Sequence, residues 1–251
     1  MRLLTAISLL LTTAWATSAV ALDANEEAYV DAPPTRFLVY SVTWQPTFCK
    51  KSPSTAGCDH PPQRFMTHGI WPYSESIGDR TNRHPQFCTK AYACKDGSAC
   101  AEGDGDMKSV LSNDSLRALV TREPEGMLAH EWKKHGTCSG KTMQSYFQDF
   151  VKFRKVVTIK GEGDPDYQGD QGDQVAFDRM VGNATDFSEI RKVFPANTAF
   201  RCYKDTADGK QYLHEVFYLI DGEGQPYEQE ENLQIGVQCA EQKTWIPRGM
   251  L

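Results

Sequence analysis

Eight cysteines at wide and irregular spacings limit what this 251-residue chain can fold into. An even number of cysteines in an exported chain predicts disulfide bonds that supplement a hydrophobic core. The usual zinc signature, two close Cys-x-x-Cys pairs, is absent from the sequence, so four disulfides are favoured over a zinc cluster. Spacing does not determine the pairing, and we adopt as a hypothesis the pairs Cys49–Cys58, Cys88–Cys138, Cys94–Cys100 and Cys202–Cys239.

The first residues predict export. Arg2 precedes an apolar run, Leu3–Leu11, and the small residues that follow end in Ala19-Val20-Ala21, a pattern typical of a signal peptide cleaved after Ala21. A membrane anchor is the alternative, but polar residues follow the apolar run and no later segment approaches spanning length. We therefore predict a signal peptide over residues 1–21, one domain over residues 22–251, no membrane anchor, and a secreted or periplasmic monomer.

Hydrophobic patterns predict both strands and helices. Strand patterns cover Phe37–Trp44, Tyr212–Ile220 and Leu233–Cys239. Helical spacing places five apolar residues on one stripe after the N-cap candidate Thr142: Met143, Tyr146, Phe147, Phe150 and Val151. Shorter helices are predicted around Asp114–Arg122 and Ser188–Val193. Because these segments do not alternate regularly, we predict an α+β domain in which an antiparallel β-sheet packs with several helices.

The formal net charge of −6 disfavours one class of partner. Proteins that hold long nucleic acids tightly usually carry a surplus of lysine and arginine, which neutralises the phosphates. An enzyme that must release its product needs only a local positive pocket. The acidic balance therefore argues against an extended nucleic-acid scaffold more strongly than against an enzyme that acts on nucleic acid.

Three of the six histidines lie in two segments whose residue types suit proton transfer. The segments are His68–Pro72, with the sequence HGIWP, and His130–Cys138, with the sequence HEWKKHGTC. On a helix, His130 would lie one turn from Lys134. Glu131 would lie one turn from His135 in the same way. A carboxylate beside an imidazole orients the ring and favours its protonated form.

The second segment begins like the zinc motif of metalloproteases, but its spacing argues against a metal. In that motif the second histidine follows the first by four residues. Here His135 follows His130 by five, which at about 100° per residue turns the two rings roughly 140° apart. Lys134 would also repel a divalent cation, so we predict no metal and no cofactor. The other histidines are interpreted as packed or surface residues: His60, His84 and His214.

The two segments resemble the two active-site motifs of the ribonuclease T2 family. Those motifs read His-Gly-Leu-Trp-Pro and His-Glu-Trp-x-Lys-His-Gly-Thr-Cys. The second motif matches at every fixed position, and the first differs only by Ile70 in place of leucine. The resemblance extends from about residue 36 to the C-terminal strand, so it implies that the predicted domain has the fold of this family.

By this resemblance we expect an endoribonuclease that acts on single-stranded RNA. RNA carries its own nucleophile, the 2′-hydroxyl, so the enzyme must supply a base, an acid and positive charge at the phosphate. The resemblance assigns the base to His135, the acid to His68, support of the transition state to Lys134 and Glu131, and phosphate binding to His130. The expected products are 2′,3′-cyclic phosphates and then 3′-phosphates. DNA, which lacks the 2′-hydroxyl, should not be cut.

Two aromatic residues are candidates for base stacking. Trp71 would stack on a base, as aromatic side chains do in complexes with single-stranded RNA, and a core tryptophan is the alternative. Tyr73 stands where some family members carry an acidic residue that helps to choose the base, so we expect low base specificity. A secreted metal-dependent hydrolase and a catalytically silent binding protein remain as alternative functions. A chelator would test the first, and the presence of His68 and His135 argues against the second.

Overall fold

The computed structural model describes residues 26–28, 34–74, 84–88, 104–159, 172–227 and 238–250. The predicted signal peptide, Cys94 and Cys100 lie outside the described residues. Most of the predicted strand Leu233–Cys239 also lies outside them, although Gln238 forms an isolated antiparallel bridge with Arg201. None of the described helices is long and apolar enough to cross a membrane.

A mixed six-stranded sheet forms the centre of the fold. The described strands are β1 (Glu26–Ala28), β2 (Thr35–Trp44), β3 (Phe65–Ser74), β4 (His84–Gln86), β5 (Ala184–Asp186), β6 (Thr198–Lys204), β7 (Gln211–Ile220) and β8 (Lys243–Trp245). The strand order is β3-β2-β7-β8-β5, with β6 also paired to β7. β2 pairs antiparallel with β3 and with β7, as β6 does with β7, whereas β8 joins β7 in parallel. β2 and β7 confirm two of the predicted strands.

Seven described helices surround the sheet: α1 (Gln45–Lys51), α2 (Asp104–Leu111), α3 (Asp114–Arg117), α4 (Glu125–Lys134), α5 (Met143–Lys152), α6 (Gly172–Met180) and α7 (Phe187–Lys192). α5 confirms the predicted apolar stripe, and the Thr142 side chain accepts a hydrogen bond from the Ser145 N–H at its start. α3 ends earlier than predicted. The carbonyl of Leu119 accepts a hydrogen bond from the Thr67 N–H of β3, which draws the chain away from a longer helix.

Side chains of the sheet alternate between two faces, and each face has its own apolar cluster. The larger cluster contains Tyr40 and Val42 of β2 together with Tyr146 and Phe150 of α5. The opposite face carries a smaller group, called here the site-side cluster: Phe37, Val39, Trp71, Tyr73, Phe217 and Leu219. Trp71 of the first histidine motif therefore lies on the face opposite the main core, whereas Ile70 of the same motif packs in the main core.

Three of the hypothesised disulfides are confirmed: Cys49–Cys58, Cys88–Cys138 and Cys202–Cys239. The Cys88–Cys138 bond joins the chain just after β4 to the 3₁₀ turn that follows α4, across 50 residues of sequence. It therefore holds β4 beside the second histidine motif. The α+β fold is also confirmed, with one difference: the sheet is mixed because β8 is parallel to β7.

Candidate active site

A β-bulge sets the direction of the His68 side chain. In the pairing of β2 with β3, Ser41 lies opposite Gly69 and Val42 lies opposite Thr67, so His68 is the extra residue of β3. Such a bulge bends the strand and re-aims a side chain out of the regular alternation. The His68 side chain consequently keeps 30% of its surface exposed, while its two neighbours in β3 are buried.

The buried carboxylate of Glu215 holds one nitrogen of His68. Glu215 lies in β7, opposite Thr43 of β2 and Arg201 of β6, so three strands bring these side chains together. Oε1 of Glu215 lies 2.6 Å from Nδ1 of His68 and accepts a hydrogen bond from the Thr43 hydroxyl at 3.3 Å. Oε2 accepts a hydrogen bond from Arg201 at 2.8 Å. The His68 ring is thereby fixed against the sheet.

Glu131 connects the second motif to the first. Its side chain projects from α4 and the residue is 1% exposed. Oε2 accepts a hydrogen bond from the indole N–H of Trp71 at 3.0 Å, and Oε1 lies 3.4 Å from Nε2 of His68. Helical spacing predicts that this carboxylate lies beside His135, but its observed partners belong to the other motif. The backbone N–H of His135, the C-cap residue of α4, still bonds to the carbonyl of Glu131, but the His135 ring packs against Trp71 and His84 instead.

Gly69 makes the contact between α4 and β3 possible. A Cβ atom at Gly69 would lie 1.9 Å from Oε2 of Glu131 and 2.8 Å from Nε1 of Trp71. In the second motif, a Cβ atom at Gly136 would lie 2.2 Å from the ring of Trp132. These distances are shorter than non-bonded atoms tolerate. The two motif glycines are therefore required by close packing against the residues of α4.

His135 lies in a stack of aromatic rings. Its ring centroid is 5.2 Å from that of Trp71 and 4.9 Å from that of His84, with interplanar angles of 27° and 6°. Nδ1 of His135 lies 3.1 Å from Nε2 of His84. The ring of Trp71 is also 5.6 Å from that of His68. Trp71 thus contacts both histidines to which acid and base roles are assigned.

The surroundings shift the pKa values of these two histidines in opposite directions. Burial disfavours the charge on His68, but the carboxylates of Glu131 and Glu215 outweigh burial and raise the pKa of His68 above its ordinary value. Burial and the neighbouring His84 lower the pKa of His135 well below its ordinary value. Between these two pKa values, His68 carries a proton and His135 does not.

The pKa values of the two buried carboxylates, Glu131 and Glu215, are also shifted in opposite directions. Burial raises the pKa of Glu131, and the opposing effects of His68 and Trp71 only partly offset it. Burial also opposes the charge on Glu215, but His68 and Arg201 outweigh burial and hold the pKa of Glu215 well below its ordinary value. Glu215 is therefore the permanently charged partner of His68.

The C-terminal end of α4 adds positive charge beside His135. Lys134 is half-buried and His130 is exposed. Both contribute, after burial, to lowering the pKa of His135. Positive groups that repel a proton from His135 attract an anion to the same place, so this end of α4 suits a phosphate.

The structure buries Trp71 and Tyr73, the two residues that are predicted to stack on a base. Their exposed fractions are 5% and 1%. The ring of Trp71 packs against His135 and Phe217, and the ring of Tyr73 packs against Phe37. The alternation of β3 directs both side chains into the site-side cluster, where burial of their apolar surface is favourable. Side chains of the protein cover both rings, so the stacking of a base on them stays a prediction that requires these side chains to move.

Sequence reasoning missed the contributions of Glu215, Arg201 and His84. A signal for Glu215 exists, because it is the one carboxylate in the strand Tyr212–Ile220, whose other residues apart from His214 are apolar or aromatic. No local signal marks His84, whose partner His135 is 51 residues away. His84, interpreted from the sequence as a packed or surface residue, is buried and contacts His135 of the site. His60 is exposed.

A cavity of about 460 Å³ lies beside His68. Its lining includes Lys51, Arg201 and His214. Burial lowers the pKa of His214 to about 4, so the ring is neutral at physiological pH. Nε2 of His214 has no hydrogen-bond partner among the described residues. A cavity that combines cations with an unpartnered ring nitrogen suits a polar, negatively charged ligand.

Within the described residues, no group of three His, Cys, Asp or Glu side chains could hold a metal ion. Ring nitrogens of the two central histidines are engaged by protein groups: Nδ1 of His135 by His84, and both nitrogens of His68 by Glu131 and Glu215. These contacts suit proton transfer between imidazoles and a bound substrate.

Comparison with known proteins identifies the family. The model of the ribonuclease T2 family matches residues 35–239, a span that contains both motifs, the central sheet strands β2, β3, β6 and β7, and all three described disulfides. In class, the molecule is an RNA-cleaving enzyme. The chain belongs to the ribonuclease T2 family, and it is a T2-like ribonuclease.

The sequences of its relatives are similar to this chain at low identity. Intracellular ribonuclease LX of Solanum lycopersicum is 23% identical over 197 residues, which are 74% of this chain and 73% of the relative. Extracellular ribonuclease LE of the same plant is 23% identical over 194 residues, 75% of this chain and 77% of the relative. Among solved structures, RNase NT in complex with 5′-AMP gives a TM-score of 0.55 at 19% identity, covering 85% of this chain and 98% of that one. This structural similarity supports the fold.

We predict that Gly69→Ala lowers RNA cleavage by about 10²-fold, because the new methyl group displaces Glu131 from Trp71 and so misplaces His68. The measurement is kcat/KM on a defined oligonucleotide, with the melting temperature followed in parallel. Gly126→Ala is the matched control, since a Cβ atom at Gly126 in the same helix as Glu131 meets nothing within 4 Å. Full activity in Gly69→Ala would show that the contact is dispensable.

Proposed function

We propose that this protein is an endoribonuclease that cleaves single-stranded RNA by transesterification, with His135 as the general base and His68 as the general acid. The observation that carries the proposal is the pair of imidazoles that contact Trp71 and have oppositely shifted pKa values. A base must start unprotonated and an acid must start protonated. The local environments favour those two states at the same pH.

The first step forms a bond between the 2′-oxygen and phosphorus and breaks the bond between phosphorus and the 5′-oxygen. Nε2 of His135 accepts the proton of the 2′-hydroxyl, and Nε2 of His68 donates a proton to the departing 5′-oxygen. The products are a 2′,3′-cyclic phosphate and a 5′-hydroxyl. In the second step, water attacks the cyclic phosphate with the two roles reversed, and a 3′-phosphate results. Each proton transfer typically contributes ~10²- to 10⁴-fold in rate.

The other charged residues of the site either bind the phosphate or orient the His68 ring. Lys134 and His130, at the end of α4, supply positive charge to the phosphate as negative charge builds up on its oxygens. Glu131 and Glu215 hold the His68 ring between them. Because His135 is only 2% exposed, the proposal requires that RNA binding uncovers its Nε2.

The cavity beside His68 would hold the leaving nucleoside, because the 5′-oxygen departs towards the acid. Arg201 and the unpartnered Nε2 of His214 line this cavity. Because Tyr73 stands where some family members carry an acidic residue that helps to choose the base, we expect low base specificity. The structural relative RNase NT is solved with 5′-AMP, in agreement with a nucleotide site in this fold.

We also propose that residues 1–21 act as a signal peptide and that the mature chain is a secreted or periplasmic monomer. The three described disulfides support an oxidising compartment. By their names, one curated relative is extracellular and another is intracellular. The compartment therefore has to be tested on this chain.

We expect the wild-type enzyme to degrade RNA in EDTA, because proton transfer supplies the chemistry. The rates on poly(U), poly(C) and poly(A) should be comparable, because we propose low base specificity. Mass analysis should find 2′,3′-cyclic phosphates first and 3′-phosphates later. His135→Ala and His68→Ala should each lower the rate by ~10²- to 10⁴-fold without unfolding the protein. His60→Ala, at an exposed histidine, is the control. Inhibition by EDTA, or hydrolysis of DNA, would contradict the mechanism.

We expect a bell-shaped pH profile of kcat/KM. The rate should rise as His135 loses its proton, below pH ~6.5, and fall as His68 loses its proton, above pH ~6.5. Glu215→Gln removes a charge that raises the pKa of His68, so the alkaline limb should move to lower pH while the acidic limb stays in place.

The control for this shift is Glu189→Gln, a change at an exposed carboxylate that pairs with Lys192. Loss of one partner of a buried ion pair costs about 3–5 kcal/mol of stability, so the profile is recorded below the melting temperature of each variant. An unchanged alkaline limb in folded Glu215→Gln would remove Glu215 from the mechanism.

A further inference from the structure

A second cavity adjoins the one beside His68. Its volume is about 440 Å³, close to the 460 Å³ of its neighbour. The two cavities share four lining residues: Ala56, Thr121, Arg122 and Glu123. The four shared residues, called here the common wall, place the second cavity directly beside the cavity that contains His68, the acid of the proposed reaction.

Three arginines line the second cavity. Arg64 and Arg117 are exposed at its edge, and Arg122 lies on the common wall. Two carboxylates, those of Asp59 and Glu123, also line it, so the guanidinium groups are in excess although the chain as a whole has a net charge of −6. Guanidinium groups bind phosphates through paired hydrogen bonds.

A buried amide in the same cavity points independently to a ligand. Gln45, the first residue of α1, is 2% exposed and lines the second cavity. Its Nε2 donates a hydrogen bond to Sγ of Cys49, but its Oε1 has no hydrogen-bond partner among the described residues. Buried acceptors are nearly always paired. An N–H donor that reached this atom, such as the exocyclic amino group of a base, would supply the missing hydrogen bond.

We propose that the second cavity binds the second nucleotide downstream of the cleaved bond. The inference rests on the proposed function, which places the first downstream nucleoside beside His68. The 3′-phosphate of that nucleoside then reaches Arg122 on the common wall. The next nucleoside enters the second cavity, with Gln45 facing its base and with Arg64 and Arg117 facing the phosphate that follows.

The test uses oligonucleotides with a single ribonucleotide, so that only one bond can be cut. We compare a dinucleotide, the same substrate extended by one 3′-phosphorylated nucleotide on the 3′ side, and one extended on the 5′ side. The 3′ extension should raise kcat/KM of the wild-type enzyme about tenfold, as one charge-assisted hydrogen bond can, and the 5′ extension should not. Arg64→Ala/Arg117→Ala should lose that gain and still cut the dinucleotide at the wild-type rate.

The matched control is Arg179→Ala/Arg191→Ala, at two exposed arginines of α6 and α7. It should keep the gain from the 3′ extension. Equal rates of the wild-type enzyme on the dinucleotide and the 3′-extended substrate would overturn the second subsite. An equal loss on all three substrates in Arg64→Ala/Arg117→Ala would overturn it too. Failure of the wild-type enzyme to cut any of the substrates would instead overturn the proposed function.

A different observation concerns the partner of His135. Nε2 of His84 lies 3.1 Å from Nδ1 of His135, and Nδ1 of His84 lies 3.3 Å from the amide nitrogen of Gln86. All three side chains are buried, and Oε1 of Gln86 has no hydrogen-bond partner among the described residues. If the side-chain amide of Gln86 is rotated by 180°, its oxygen and nitrogen exchange places, and Oε1 then accepts a hydrogen bond from Nδ1–H of His84.

We infer that His84 is a positioning residue that keeps the proton of neutral His135 on Nδ1. His135 then donates from Nδ1 to Nε2 of His84, and His84 donates from Nδ1 to Gln86. The hydrogen bond at one ring nitrogen determines which tautomer of an imidazole is present. Nε2 of His135 is left with a lone pair for the 2′-hydroxyl, so this inference also rests on the proposed function.

Two variants of His84 separate positioning from packing. His84→Phe keeps a ring to stack on Tyr73 but has no acceptor, so kcat should fall about 10- to 100-fold with little change in KM. His84→Gln supplies an acceptor oxygen and should recover most of kcat. Nitrogen chemical shifts of His135 should report the Nδ1–H tautomer in the wild-type protein and a shift towards Nε2–H in His84→Phe.

Wild-type kcat in folded His84→Phe, or an unchanged His135 tautomer, would overturn the role of His84. Equal losses of kcat in the Phe and Gln variants would reduce that role to packing and overturn it as well. Full activity of His135→Ala would instead overturn the proposed base and therefore the proposed function.

Discussion

The carboxylate of Glu131 reaches from α4 to Trp71 and His68 of β3, and it can do so only because residue 69 has no side chain. A buried carboxylate is costly unless hydrogen bonds and positive charge compensate it. Here the compensation comes from the indole N–H and from protonated His68. The same contact therefore satisfies a buried charge, fixes the distance between helix and sheet, and joins two motifs that are about sixty residues apart in sequence.

One residue type serves in two protonation states because its two copies lie in different surroundings. His68 lies between the carboxylates of Glu131 and Glu215, which favour its charged form. His135 is packed among rings, with Lys134 nearby, and these surroundings favour its neutral form. Such a separation of pKa values is how enzymes obtain an acid and a base from similar groups. The central sheet contributes to the raised pKa of His68. It does so because Glu215, a carboxylate that favours the charged form of His68, forms a cross-strand pair of β7 and β6 with Arg201.

Local patterns in the sequence predicted the elements whose apolar periodicity is regular. The strands β2 and β7 and the helix α5 follow from apolar periodicity, and the motif residues His68 and His135 follow from residue types and spacing. The remaining features depend on contacts between distant segments. α3 stops early because a carbonyl pairs with β3, and Trp71 is covered by rings that α4 and β4 bring to it. Nothing near position 84 in the sequence indicates that its imidazole contacts His135.

An acidic chain can act on a polyanion because electrostatic effects depend on distance. At physiological ionic strength, screening reduces the interaction of exposed charges beyond about 8 Å. The surplus of acidic residues, spread over the whole chain, therefore acts weakly on a phosphate bound at His68. Arg201 and Lys51 line the cavity at that histidine, and Lys134 lies at the end of α4, so their positive charges act at short range. In the proposed function, the net charge limits extended binding, while the local charges determine where the phosphate is held.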